Sequence, residues 1–247
     1  KSSHRRRPSK IIFTPVFMTR SVFNPRFEDL PRVIPIFPLT GALLLPTGKL
    51  PLNIFEPRYL AMVRDALADK QRIIGMVQPR TPDLDDNRGA SGYGGDQPVL
   101  YKIGCAGRIT SFTESEDGRY LLTLSGVCRF DIGEEMAGKD DYRRVIADFK
   151  RFRDDVSDPP VFDIDRDRLL LAVKEYFALH NLEISWDAIQ ATPDDKLITS
   201  LAMTCPFGPN ERQALLETET AASRADLIIA LLEMAILENS STSDISH

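Results

Sequence analysis

A chain of 247 residues is long enough to bury one or two cores, and 43% hydrophobic with 27% charged residues is the balance of a folded globular protein. The formal charge is −5, but seven of the 31 basic residues and none of the 36 acidic ones fall in residues 1–27, so the rest carries 24 against 36, a net of −12. That acidic body disfavours binding to nucleic acid phosphates. No apolar run approaches the roughly 20 residues of a membrane helix, and the N-terminal pattern is not that of a signal peptide, so a cytoplasmic protein is expected.

Residues 1–30 read as a disordered basic extension, with Met18 a plausible true start. Then come two short apolar runs, 33–38 and 50–55, bounded by Pro and Gly as strands are, with Pro46-Thr47-Gly48 as the turn between them. Their prolines place them at a sheet edge or starting just past each proline. Pro57 suits the first turn of a helix, where its missing N–H is not needed. Tyr59, Leu60, Val63, Ala66 and Leu67 then share one helical face. RIIGMVQ, 72–78, reads as a further strand. Residues 81–98, rich in Gly, Asp and Pro, read as a loop. Strands are expected over 100–112, 120–125, 127–133 and 142–152, with Asp117-Gly118 a hairpin turn between the first two.

From Asp163 the apolar period becomes helical, with Leu169, Leu170, Val173, Tyr176 and Phe177 in register. Thr192-Pro193, Asn210 and the Ser223…Asp226 pair read as helix starts. The DDVSDPP stretch, 154–160, is the expected joint. The domain reading is a β-rich subdomain over 31–153, a helical bundle over 161–240, and a disordered tail over 241–247.

Candidate chemistry is sparse. GYGG, 92–95, lacks the Lys-Ser/Thr and helix start of a phosphate loop. Asp163, Asp165 and Asp167 alternate like a calcium loop, but Arg168 and Lys174 stand where Gly and Glu are needed. The acids instead suit a helix N-terminus. His180 closes a helix, where a cap explains it better than a general base. Cys105, Cys128 and Cys205 have no metal-site or disulfide spacing and read as reduced, buried thiols. Neither a metal nor a cofactor is expected. The last helix, LIIALLEMAILE, is apolar on more than one face, so it is either central in its bundle or an interface through which a homo-oligomer could form.

Residues 35–39 (PIFPL), 45–48 (LPTG) and 52–59 (LNIFEPRY) resemble the start of the N-terminal substrate-binding domain of Lon proteases. Residues 104–109 (GCAGRI), 117–120 (DGRY), 124–130 (LSGVCRF) and 206–217 (PFGPNERQALLE) continue the likeness in order, across roughly 31–237. The resemblance implies an α+β fold, a PUA-like twisted β-barrel followed by an all-helical bundle. It also implies recognition of polypeptides, with a protease or chaperone as a possible partner. A Walker A loop and a Ser–Lys protease region are absent from this sequence, so the expected role is non-catalytic, in protein quality control. The alternative that the resemblance leaves open is RNA binding, since PUA-like barrels also occur in RNA-modifying proteins. The candidate polypeptide-contacting residues are Phe112, Trp186, Glu56 and Arg58, the last two also read as an ion pair bracing the bend before the helix.

Overall fold

In the computed structural model, residues 25–80, 98–157, 162–180 and 185–244 are described. The GYGG stretch and most of the N-terminal extension lie outside them, as do 245–247 of the expected tail, whereas 241–244 are not a disordered tail but continue the last helix. The chain divides into two compact units.

One unit holds the sheet. Strands β1 (Val33–Pro38), β2 (Lys49–Ile54), β3 (Ile73–Val77), β4 (Ile103–Glu114), β5 (Tyr120–Lys139) and β6 (Tyr142–Asp148) pair in the order β2-β5-β4-β3-β1-β6, and β5 also pairs with β6. Five strands thus close a ring, and β2 is added to the first half of β5. Only β1 and β3 are parallel, and the chain crosses between them through β2 and helix α1 (Pro57–Ala68), as parallel neighbours require. Pro57 stands at the helix start and Tyr59, Met62, Val63 and Ala66 form its buried face.

β5 is a single strand of 20 residues, although its sequence suggests two broken at Gly126. That glycine marks a close approach. A Cβ there would lie 1.9 Å from the Leu45 carbonyl oxygen. The Gly126 amide donates to the Gly48 carbonyl, and its own carbonyl accepts from the Thr47 amide. These bonds hold down the loop that carries Leu43, Leu44 and Leu45, all at most 2% exposed. Leu44 fills the space over Gly107, where a Cβ would meet its Cδ2 at 2.6 Å. Within the ring, Phe130 is fully buried and its ring edge lies 2.9 Å from where a Cβ of Gly104 would be.

β6 stops at Asp148 instead of running on to residue 152, because the Asp148 carboxylate accepts from the Lys150 amide and turns the chain into a 3-10 helix, Lys150–Val156. The expected joint therefore includes a core element. Arg129 donates from Nε and Nη2 to the two oxygens of Asp155 at 2.9 and 2.8 Å, and its backbone amide adds a third bond at 2.9 Å. The side chains are only 6% and 10% exposed, and the guanidinium stacks 4.7 Å above Phe152. Burial alone would make Arg129 easier to deprotonate, but the bonds and charge of Asp155 hold its pKa above the ordinary value.

Helix α5 (Pro209–Glu217) belongs to this unit too, whereas the sequence reading placed it within the bundle. Buried polar groups fix it there. Gln78, at the end of β3, donates to the Pro209 carbonyl and to Gln213 Oε1. Gln213 in turn donates to the Ile103 carbonyl and to Glu217, and Arg129 Nη1 donates to the Leu216 carbonyl. Asn210 does not cap α5: its amide oxygen accepts from the Tyr101 hydroxyl, while Glu211 Oε2 accepts from the Gly208 amide, closing the helix start.

The other unit contains α2 (Arg166–Leu179), α3 (Trp186–Ala191), α4 (Asp194–Thr204) and α6 (Ala221–Asp244). Asp165 caps α2 by accepting from the Arg168 amide, so one acid of the alternating run does serve a helix start. The Thr192 hydroxyl donates back to the Ala188 carbonyl in α3, and α4 opens one residue past Pro193, whose carbonyl accepts from the Lys196 and Leu197 amides. Arg166 gathers the Ile189, Gln190 and Thr192 carbonyls at the end of α3 and pairs with Asp194. α6 starts one turn before the expected capping box, with Thr220 Oγ1 accepting from the Ser223 amide. α2 and α6 are joined by a bidentate pair of Arg168 with Glu233.

Three substitutions test these constraints by urea unfolding. Gly126→Ala should cost about 3 kcal/mol or more, because backbone rather than a movable side chain occupies the space. Gly41→Ala meets nothing within 4 Å but sits at φ +73°, and should cost only about 1 kcal/mol. Arg129→Met should cost about 3 kcal/mol, chiefly by leaving the Asp155 carboxylate buried without its cation.

Candidate functional site

β6 pairs with β1 only along Val33–Ile36, so Phe37 and Pro38 keep β3 on one side and no strand on the other. Into that gap come the outer side of β2, the start of α1 and the tip of the β5–β6 hairpin. Together they enclose a cavity of about 350 Å³, within the size range of ligand pockets. The sheet unit supplies all of its lining.

Phe37 and Tyr59 form the floor, with ring centroids 4.4 Å apart and planes tilted by 51°. Leu52 flanks them and Phe55, 64% exposed, stands at the mouth. Pro38, Pro51, Pro79 and Pro98 complete the apolar wall, and none of them has an N–H to leave unsatisfied. Tyr142 closes one side, and its hydroxyl donates to Asp65 Oδ2 at 2.6 Å, fastening α1 to β6. Burial, then the bond and charge of Asp65, push the Tyr142 phenol well above its ordinary pKa. Tyr59 is also raised, by burial working against the nearby Arg58 cation.

The charged rim is mostly self-paired. Arg58 donates from Nε and Nη2 to one oxygen of Glu56, at 3.0 and 2.8 Å, and its guanidinium stacks 4.7 Å from the Tyr59 ring. This is the brace expected at the bend. Arg143 binds both oxygens of Glu135 at 2.7 Å and donates to the Pro98 carbonyl. Asp141 also lines the cavity. With Asp140 it forms the two-residue hairpin turn, at φ +62° and +49°, and its carboxylate makes no hydrogen bond or ion pair among the described residues, although its charge acts on Arg58.

The profile of the ATP-dependent protease La (LON) substrate-binding domain matches residues 33–234. The chain belongs to that family. Lon protease of Anaeromyxobacter dehalogenans is 26% identical over 207 residues, 83% of this chain and 23% of that protein. Lon protease 2 of Myxococcus xanthus is 26% identical over the same length, with 83% and 24% covered. This LON domain chain therefore spans about a quarter of the length of these relatives, and the family match is to the substrate-binding domain alone. Among solved structures, a Lon N-terminal domain protein from Xanthomonas campestris superposes with a TM-score of 0.51 at 23% identity, covering 80% of this chain and 97% of that one. The N-terminal domain of Mycobacterium avium complex Lon protease gives 0.52 at 13% identity, with 81% and 98% covered. The α+β fold is that of the Lon N-terminal domain.

Within this LON domain the four residues singled out from the sequence do not form one cluster. Glu56 and Arg58 line the cavity. Phe112 lies on β4 outside the lining, 39% exposed and packed edge-on against Tyr120 at 5.0 Å. Trp186 is the half-buried first residue of α3, in the other unit. Sequence reasoning missed Phe37, Leu52, Phe55 and Asp141, although the first three sit inside the proline-punctuated motifs that signal the family. All three cysteines are free and buried, and burial pushes the Cys205 thiol up to about 12. His180 is the C-cap of α2, its ring 4.2 Å from Tyr176. Among the described residues no three of His, Cys, Asp or Glu gather as metal ligands, and no helix is long and apolar enough to cross a membrane.

Tyr142 supplies a pH test. Its folded pKa lies above the unfolded value near 10, so its contribution is complete below pH 10 and drains away as pH rises past that point. Stability should fall between about pH 10 and 12 in urea melts of the wild type. Tyr142→Phe should be less stable by about 1 kcal/mol at neutral pH, having lost the bond to Asp65, and should show a shallower alkaline decline.

Proposed function

We propose that this LON domain is a non-catalytic polypeptide-recognition module acting in cytoplasmic protein quality control, presenting or withholding unfolded segments from a protease or chaperone. The observation that carries this reading is the cavity at the end of β1, where its β6 side is open. It offers an aromatic floor, proline walls and an exposed phenylalanine at its mouth. Burying an apolar side chain there would release it from water, the driving force by which grooves hold unfolded chains. The family description, substrate binding, supports the same role. Glu56 and Arg58 lie on the path of an entering chain, whereas Phe112 and Trp186 would act as separate contacts.

The test is photo-crosslinking of the full chain to a chemically unfolded client, with the folded client as control. Crosslinks should form with the unfolded client only and map to the surroundings of Phe55 and Leu52. Phe55→Asp, at an exposed position, should leave the melting curve nearly unchanged and weaken capture by about tenfold, the worth of one buried apolar side chain. Equal crosslinking of folded and unfolded clients would overturn the reading, as would cleavage of either by the purified protein.

A further inference from the structure

The cavity is apolar at its base, but its rim is not electrically neutral. Five charged groups belong to the lining or bond directly to it: Glu56, Glu135 and Asp141 against Arg58 and Arg143. Both cations are already engaged. Arg143 is held by two 2.7 Å bonds to Glu135 and a third to the Pro98 carbonyl, and Arg58 is spent on Glu56. An entering carboxylate could reach only the donors these pairs leave over, beside the very carboxylates that already hold them.

An entering cation meets the opposite situation. Asp141 makes no hydrogen bond or ion pair among the described residues and feels Arg58 only through their longer-range attraction, and Glu56 uses only its Oε2 towards Arg58, so one carboxylate and one carboxylate oxygen are open. Asp140 adds a further negative charge at the same turn. Complementary charge of this kind favours one partner largely by penalising the others.

We propose that the cavity selects polypeptide segments in which a large apolar side chain is flanked by lysine or arginine, the apolar group seating on Phe37, Leu52 and Tyr59 and the cation facing Asp141 and the open oxygen of Glu56. The proposal rests on the polypeptide-binding reading and adds to it a charge preference in the flanks. The acidic hairpin tip acts as a filter: a segment rich in Asp or Glu is repelled however apolar its centre.

The experiment uses the full chain and three dye-labelled peptides of equal length in a glycine-serine frame, with cores Lys-Phe-Lys, Glu-Phe-Glu and Lys-Ala-Lys, titrated by fluorescence anisotropy. The Lys-Phe-Lys peptide should bind about fivefold more tightly than Glu-Phe-Glu at low salt, and raising the salt to about 0.5 M should close most of that gap. Lys-Ala-Lys should bind at least fivefold more weakly than Lys-Phe-Lys. Asp141→Asn should reduce the Lys-over-Glu preference to about twofold. Asn tolerates the left-handed backbone at this turn, and circular dichroism confirms that the variant is folded.

Equal or tighter binding of Glu-Phe-Glu would overturn the proposal, as would Lys-Ala-Lys matching Lys-Phe-Lys, or an unchanged preference in Asp141→Asn. If unfolded clients crosslink but none of the three peptides binds, the charge preference fails and the polypeptide reading stands. If neither clients nor peptides bind, that reading fails as well.

Discussion

The carbonyl oxygen of Leu45 occupies the space that a side chain at position 126 would need, and the closed ring of strands depends on that contact. Among the described strands, β5 alone touches β2, β4 and β6. It can do so because it runs unbroken past Gly126, where the Leu43–Leu45 loop packs on it and Val127 is skipped in the register with β4. Any larger residue would force the loop off, expose three leucines and remove the filling over Gly107. Closure of the ring and burial of the loop are thus one event. The same closure leaves β1 paired with β3 alone beyond Ile36, which is where the cavity forms.

The Arg129–Asp155 pair comes three residues further along β5. Taking two charges out of water costs about as much as their attraction returns, so such a pair adds little net stability over an apolar pair of the same shape. What it contributes is uniqueness. Asp155 accepts from three donors of one residue, and the guanidinium then reaches the last turn of α5. A register slip of β5 by one residue would break all of these at once, leaving buried charge uncompensated. The Gln78–Gln213 amides do the same for the first turns of α5, since each must be satisfied where water cannot reach.

Where short-range rules apply, the sequence is a good guide. β1, the proline at the start of α1 and the Glu56–Arg58 brace are all set by residues close in the chain. The change of period near Asp163 likewise foretells the four-helix unit. Long-range partners are the part that cannot be read this way. Gly126 looks like a strand break because its reason for being glycine is a carbonyl 81 positions earlier. Asn210 looks like a helix cap, but a hydroxyl from Tyr101 reaches it first. Asp155 sits in a composition typical of linkers, and only the folded chain brings Arg129 against it. For the cavity, the motif residues 35–39 and 52–59 mark its walls, while Asp141 gives no signal beyond being part of a tight turn.

The edge of β2 decides how such a cavity could hold a chain. Gly48 accepts from Gly126, and with Lys49 opposite Ser125 in the register, alternation makes Leu50, Leu52 and Ile54 the residues bonded to β5. Lys49, Pro51 and Asn53 then direct their backbone groups outward. Pro51 therefore costs the β2–β5 ladder nothing, yet it removes the central donor that an added strand would need. An extended peptide laid along this edge would find hydrogen bonds at its two ends and a gap in the middle. Recognition here must draw on side chains instead, on what fits against Phe37 and Tyr59 and on which charges the rim accepts. Such a mode would be tolerant of backbone register, which the proposed capture of varied unfolded segments would require, and Pro51 protects an exposed strand from pairing with copies of itself.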